Sequence, residues 1–257
     1  TRGGDWYDGG FWQGLYLHDW GTNNYSIQAT WEYLYKSISQ CNESLKRIDL
    51  YSGNHPEDDT DMLRAEVVSL RALFYYYTMD LFGRIPIVDN YDNGNTEIKQ
   101  SERSDVFWYI VKDLQASLPY LSDERSNTPG EYYGRITAPV VHFILAKLAL
   151  NSEVYTDSNW TDGIRPDGKS IMFDTESGRL NAWQATMYYC DKISQAGYAL
   201  EDDYRNNFAV FNESSVENIF VIPMDKTLYT NQFIYLFRSG HYNHAKAYGL
   251  SGENGSS

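Results

Sequence analysis

Residues 1–25 crowd seven aromatic side chains, Trp6, Tyr7, Phe11, Trp12, Tyr16, Trp20 and Tyr25, among Arg2, Asp5, Asp8, Asp19, Asn23 and Asn24. No helical or alternating period fits the rings, which separates them from the apolar stripes that mark a core elsewhere in the chain. Flat rings mixed with carboxylates, amides and a guanidinium match the needs of a sugar. A pyranose presents an apolar C–H face and a rim of hydroxyls, so rings take the face and polar tips take the rim. Covering about 50 Å² of sugar face on one ring yields roughly 1 kcal/mol at about 25 cal/mol per Å². Association costs at least about 4 kcal/mol, so two or three rings with charge-assisted hydrogen bonds are needed. An oligosaccharide therefore suits this surface better than a single sugar. The competing expectation is that the loop folds back and buries its rings over the helices that follow.

A second cluster runs through Tyr229, Phe233, Tyr235, Phe237, Arg238, His241, Tyr242, Asn243, His244 and Tyr248. Phe233, Tyr235 and Phe237 alternate as a half-buried strand does. A lone His-x-x-His pair, without nearby Cys or a supporting acidic motif, reads as structural and not as a metal site. The run Asp157-Ser-Asn159-Trp-Thr161-Asp162-Gly163 resembles a calcium loop but fails as one: its glycine comes one position late and no glutamate follows at the twelfth place. Glycoside hydrolysis needs two carboxylates at a fixed separation across the scissile bond, and nothing distinguishes Asp5, Asp8 and Asp19 from hydrogen bonders to a sugar rim. The chain has no Gly-x-Ser-x-Gly elbow, phosphate-cradling loop or His-Glu-x-x-His helix. The expectation is no catalysis, no metal and no cofactor, with a glycoside hydrolase as the lesser alternative.

The elements that must hold these loops are helices. Ile27, Trp31, Leu34, Ile38, Cys41, Leu45 and Ile48 alternate in steps of four and three, which predicts a long amphipathic helix capped at Ser26. Leu63, Val67, Leu70, Phe74, Tyr77 and Leu81 predict a second, beginning near Asp58-Asp59-Thr60-Asp61, stopped by a left-handed Gly83 and barred from continuing by Pro86. Phe107, Ile110, Leu114, Leu118 and Leu121 predict a third from Ser104, fraying at Pro119. Thr137 caps a fourth, with Val141, Ile144, Leu145 and Leu148 inward, and Trp183, Met187, Cys190 and Ile193 mark a fifth that ends at Gly197. Helix pairs that cannot cover their own stripes imply stacking in the manner of tetratricopeptide repeats. Residues 1–25, 89–103, 122–136, 155–180 and 224–257 read as long irregular segments.

At 257 residues the chain can bury a sizeable core. A formal charge of -14 excludes nucleic acid and anionic lipid surfaces as partners, because phosphate binding needs clustered Lys and Arg. Cys41 and Cys190, the two thiols, each read as core packing on a helix. Twenty-three tyrosines supply rigid faces with a hydrogen-bonding tip.

The stretch Arg64 to Val88 resembles the SusD/RagB family signature: an acidic residue, an Arg-Ala pair, an aromatic run, then Leu81-Phe82-Gly83 and Pro86. The likeness extends over most of residues 1–250, including Trp31 to Cys41-Asn42 and His241-Tyr-Asn-His-Ala-Lys-Ala247. It implies a mainly α fold of tetratricopeptide-like stacked helix pairs with long binding loops. The expected organisation is one partial domain over residues 1–257: an aromatic ligand loop (1–25), helix pairs (26–200) and a loop-rich part (201–257). It also implies a non-catalytic lipoprotein on the outer face of the outer membrane, capturing oligosaccharide or polysaccharide for a SusC-like TonB-dependent transporter. Membrane attachment would run only through a lipid anchor outside this chain. Family members carry an aromatic arc with Arg, Asp and Asn just before the Trp31 helix, and here that region matches Arg2, Asp5, Trp6, Trp20 and Asn24, with Tyr7 and Trp12 close behind. The ligand face of the family further implicates Tyr229, Arg238 and Tyr242. Because members are longer, the chain reads as a fragment. A protein-docking scaffold of stacked helices remains the contrasting reading.

Overall fold

The computed structural model describes residues 8–89, 98–209 and 212–223. Residues up to Val221 form one compact unit, and Ile222 and Pro223 open a second whose remainder lies outside the described residues. The candidate ligand contacts Arg2, Asp5, Trp6, Tyr7, Tyr229, Arg238 and Tyr242 likewise lie outside the described residues.

A short helix α1 (Phe11–Leu17) precedes the long α2 (Tyr25–Asn54), followed by α3 (Asp61–Phe82), α4 (Arg103–Ser117), α5 (Ala138–Leu150), a single turn α6 (Ser152–Tyr155) and α7 (Ala182–Gln195). Between α6 and α7 a two-stranded antiparallel hairpin, β1 (Met172–Thr175) and β2 (Gly178–Asn181), pairs Met172 with Asn181 and Thr175 with Gly178. The packing runs α2 on α3, α3 on α4, α4 on α5 and α5 on α7, a stack of helices in chain order. The core lies along that stack, with Ile38, Tyr75, Met79, Phe107, Leu114, Leu145, Leu148, Phe173 and Tyr189 closed to solvent.

Two of the expected helix faces are rotated. In α3 the buried positions are Ala65, Ser69, Arg71, Ala72, Leu73, Tyr75, Tyr76, Thr78 and Met79, whereas Leu63, Tyr77 and Leu81 are exposed. As an inner member of the stack, α3 is covered by neighbours on two sides, and its small residues Ala65, Ser69, Ala72 and Thr78 admit their close approach. A stripe drawn through the largest apolar residues misses this. In α7 the inward line is Ala182, Ala185, Tyr189 and Ile193, which leaves Met187 and Cys190 exposed. Cys190 is therefore not a core residue. Cys41 is, and burial pushes its thiol up to about 11.

The signature residues build a buried polar knot. Arg71 donates from Nη1 to Asn42 Oδ1 (3.0 Å) and from Nη2 to Asp113 Oδ2 (2.8 Å), tying α3 to α2 and α4. Asn42 Nδ2 in turn donates to the Val88 carbonyl (2.7 Å), to which the Tyr75 hydroxyl also donates (2.9 Å). The Val88 N–H donates back to Tyr75 Oη (2.8 Å), and the Tyr35 hydroxyl donates to the Pro86 carbonyl (2.8 Å). Extended backbone buried beside helices must find partners for its amides, and these side chains supply them. Burial opposes the Arg71 charge, but the Tyr109 phenol and the Asp113 carboxylate more than offset it, so its affinity for the proton is raised. Gly83, at φ 72 and ψ -100, makes the turn that carries the chain from α3 into this extended segment, a conformation closed to residues with a Cβ. Its N–H still closes α3 on the Met79 carbonyl.

Candidate functional site

The described part of the aromatic segment has more order than its sequence announces. Gly10, at φ 88, starts α1, and His18, at φ 58, ends it with its N–H on the Leu15 carbonyl, while the Asp19 N–H reaches the Gly14 carbonyl. This is the helix-ending geometry in which one left-handed residue lets two amides find partners. Gly14 eases this close approach: a Cβ would lie 3.2 Å from the Asp19 carbonyl oxygen, which would have to give by a few tenths of an ångström. The expectation of an entirely irregular segment is corrected at this point: Phe11–Leu17 is a helix, none of its residues fully buried and only Phe11, Gly14 and Leu15 partly covered.

The rings stand out from this frame. Trp12 is 42% exposed and Trp20 45%, while Tyr16 and Tyr25 are 78% and 77% exposed. Phe11 braces Trp12 edge-on with centroids 5.0 Å apart, and the His18 ring lies 5.2 Å from Trp20. Each indole thus has one side supported and an accessible remainder. Asn24 has a structural duty that the sequence reading gave to Ser26. Its Oδ1 accepts from the N–H groups of Ser26 (3.0 Å) and Ile27 (3.3 Å), capping α2 two residues earlier than expected. Ser26 sits inside the first turn, where its carbonyl accepts from Thr30 Oγ1. Only the Nδ2 of Asn24 remains to meet a ligand. Behind the segment Trp31 packs on Tyr35 (4.5 Å) and edge-on against Phe82 (5.1 Å), joining the start of α2 to the end of α3.

A larger cleft, of about 810 Å³, opens elsewhere between the 123–132 loop, α5 and α7, and presents charge instead of flat faces: Asp123, Arg125, Glu131, Glu176 and Lys192 among others. His142 lines it with its ring stacked on Tyr189 (5.9 Å, 27°). Burial, and then the Lys192 cation, hold its imidazole down at about 4, against the pull of Glu176 and Asp123. The unfolded chain takes up this proton near pH 6.5 and the folded one near 4, so between those values the unfolded state binds more protons and stability falls as pH falls. The expected loss from this group approaches about 1.4 kcal/mol per pH unit across that window, with no contribution above it. Urea unfolding at pH 7, 6, 5 and 4 checks this: His142→Asn should flatten the acid limb relative to wild type.

Among the described residues no helix is long and apolar enough to cross a membrane, and no group of three or more His, Cys, Asp or Glu is arranged to hold a metal. Asp157, from the calcium-like run, is buried and faces the Arg165 guanidinium (3.6 Å).

Residues 4–150 match the SusD-like family described as "Starch-binding associating with outer membrane". The SusD-like protein P2 of Formosa agariphila is 23% identical over 188 residues, which cover 69% of this chain and 37% of that protein. The starch-binding protein SusD of Bacteroides thetaiotaomicron is 31% identical over 93 residues, 36% of this chain and 16% of that one. The fold superposes on surface glycan-binding protein A from Bacteroides uniformis with a TM-score of 0.64 at 17% identity, covering 86% of this chain and 43% of the other. The chain thus spans little more than a third of the length of the first of these relatives. With the family pattern running through more than half of its residues and the tetratricopeptide-like helix stack beneath it, this chain belongs to the SusD-like family.

Proposed function

We propose that this protein binds oligosaccharide or polysaccharide without cleaving it, at the outer face of the bacterial outer membrane, and hands it to a SusC-like TonB-dependent transporter. The observation that carries the reading is the pair of braced, half-exposed indoles of Trp12 and Trp20 on a segment fixed to the start of α2. Arg2, Asp5, Trp6, Tyr7 and the Nδ2 of Asn24 are the other sugar contacts proposed for that segment, and Tyr229, Arg238 and Tyr242 are proposed contacts from the later part of the chain. Surface location, attachment through a lipid anchor outside this chain and the transporter as partner follow from family membership. So does the organisation as one partial domain, with residues 1–25 as ligand loop. The starch-binding relative in Bacteroides thetaiotaomicron makes an α-glucan the first ligand to try.

Native electrophoresis through gels containing amylopectin, laminarin or xyloglucan tests this. Retardation in at least one gel, with no reducing ends released on long incubation at high protein concentration, is the expected result. Unaltered mobility in all three, or release of reducing ends, would overturn it. The contrasting reading, a protein-docking scaffold, draws on an apolar groove of about 610 Å³ along α3, α5 and α7, where Tyr77, Phe143 and Phe208 are exposed. It requires that added glycan leave the tryptophan emission unchanged.

A further inference from the structure

A cleft of about 400 Å³ lies where α3 ends, lined by Phe82, Gly83, Arg84, Glu102, Arg103 and the loop Asp157 to Trp160. Trp160 on that loop is 73% exposed, the most exposed indole among the described residues. An indole in water forgoes about 2 kcal/mol or more of available burial, and a mobile loop would fold it down. This loop does not have that freedom, because its own polar side chains fix it. Asp157 Oδ1 accepts from the Asn159 N–H (3.0 Å), Asn159 Oδ1 from Thr161 Oγ1 (2.7 Å), Asp162 Oδ2 from Asn159 Nδ2 (3.2 Å) and Asp162 Oδ1 from the Ile164 N–H (2.8 Å). From outside the loop, Arg103 Nη2 donates to the Asp157 carbonyl (3.0 Å). The polar residues that resemble calcium ligands thus hold one backbone shape, with Asp157 Oδ2 turned toward Arg165 (3.6 Å), and what that shape presents is a flat ring.

The facing wall is equally determined. Gly83 turns the chain out of α3, and an isolated antiparallel bridge pairs Ile85 with Ser101, which sets Arg84 beside Glu102 at the rim. Their side chains pair loosely (3.7 Å) and remain 64% and 50% exposed, so the guanidinium and the carboxylate are both open to solvent hydroxyls. A rigid indole lining one cleft with a cation and an anion is the arrangement that takes the face and rim of one sugar ring. Phe82, in the same wall, touches Trp31, which lies seven residues, roughly 10 Å of helix, beyond the Asn24 cap. The cleft and the Trp12–Trp20 segment therefore stand at the same end of the helix stack.

We propose that this cleft is a further sugar subsite, with Trp160 as its stacking platform and Arg84 and Glu102 as its hydrogen bonders; the proposal rests on the glycan-binding reading given above. The test is native affinity electrophoresis in amylopectin, laminarin and xyloglucan gels of wild type, Trp160→Ala, Trp160→Tyr and the Trp12→Ala/Trp20→Ala pair, with melting curves to establish that each is folded. The expected result is a five- to tenfold, roughly one ring's worth, loss of apparent affinity in Trp160→Ala, largely restored in Trp160→Tyr. If Trp160→Ala runs as wild type while Trp12→Ala/Trp20→Ala loses retardation, this subsite is wrong and the main reading stands. If wild type is not retarded in any gel, both are wrong.

Discussion

Arg71→Ala is expected to destabilise the fold by about 3–5 kcal/mol, because it removes one partner of a buried ion pair and strands the other. The Asp113 carboxylate would keep its charge in a largely buried place without the guanidinium that meets it at 2.8 Å. Asn42 Oδ1 would lose its donor in the same step. Because Asn42 also holds the Val88 carbonyl, the strand-like segment after Gly83 should loosen with it. For a domain of this size the change corresponds to a drop of about 6–20 °C in melting temperature. Arg64→Ala is the control. Arg64 also pairs with an aspartate, Asp49, but both side chains are about half exposed, and such surface pairs contribute about 0–1 kcal/mol. Chemical unfolding of both variants separates the two arginines of the signature. A loss under about 1 kcal/mol for Arg71→Ala would mean that the knot is not what joins α2, α3 and α4.

The contrast between these arginines explains what the sequence disclosed and what it withheld. Helices α2, α4 and α5 were legible because their inward positions are filled mainly by large apolar residues at helical spacing. Leu34, Ile38, Cys41 and Leu45, then Phe107, Ile110 and Leu114, then Val141, Ile144, Leu145 and Leu148 all lie inward as their spacing requires. Helix α3 misled because much of its buried surface is alanine, serine and threonine (Ala65, Ser69, Ala72 and Thr78), and because its buried Arg71 counts as surface on any hydrophobicity scale. The hairpin β1–β2 has four residues a strand, too few for alternation to register. At the site the signal is negative, aromatic residues without a period, and it marks the whole cluster, Trp6, Tyr7, Trp12 and Trp20 alike, without choosing among its rings. It could not reveal α1, whose ends are set by glycines and a left-handed His18 and not by a stripe. Trp160 was overlooked for a different reason: its neighbours Asp157, Asn159 and Asp162 carry calcium-ligand chemistry, and only the hydrogen bonds show that they serve the loop's own shape.

Replacing both Trp12 and Trp20 with alanine should weaken glycan binding about 30- to 100-fold. Each indole that covers about 50 Å² of sugar contributes roughly 1.2 kcal/mol, and the two together roughly 2.5 kcal/mol. A ligand held in the high-micromolar range by wild type would then fall beyond ready detection by titration calorimetry. Single variants should lose about five- to tenfold each. Stability should change little, since both rings are nearly half exposed and neither belongs to the core cluster. Equal affinity in the double variant would move the ligand away from this segment altogether.

The most direct measurement of whether these indoles grip carbohydrate is fluorine NMR of the protein labelled with 5-fluorotryptophan, its signals assigned by single Trp→Phe variants and followed as amylopectin, laminarin or xyloglucan fragments are added. Saturable shifts at Trp12 and Trp20, with Trp31, Trp108 and Trp183 unmoved, are the predicted outcome. Binding of any of these glycans that leaves the Trp12 and Trp20 signals in place would contradict the account.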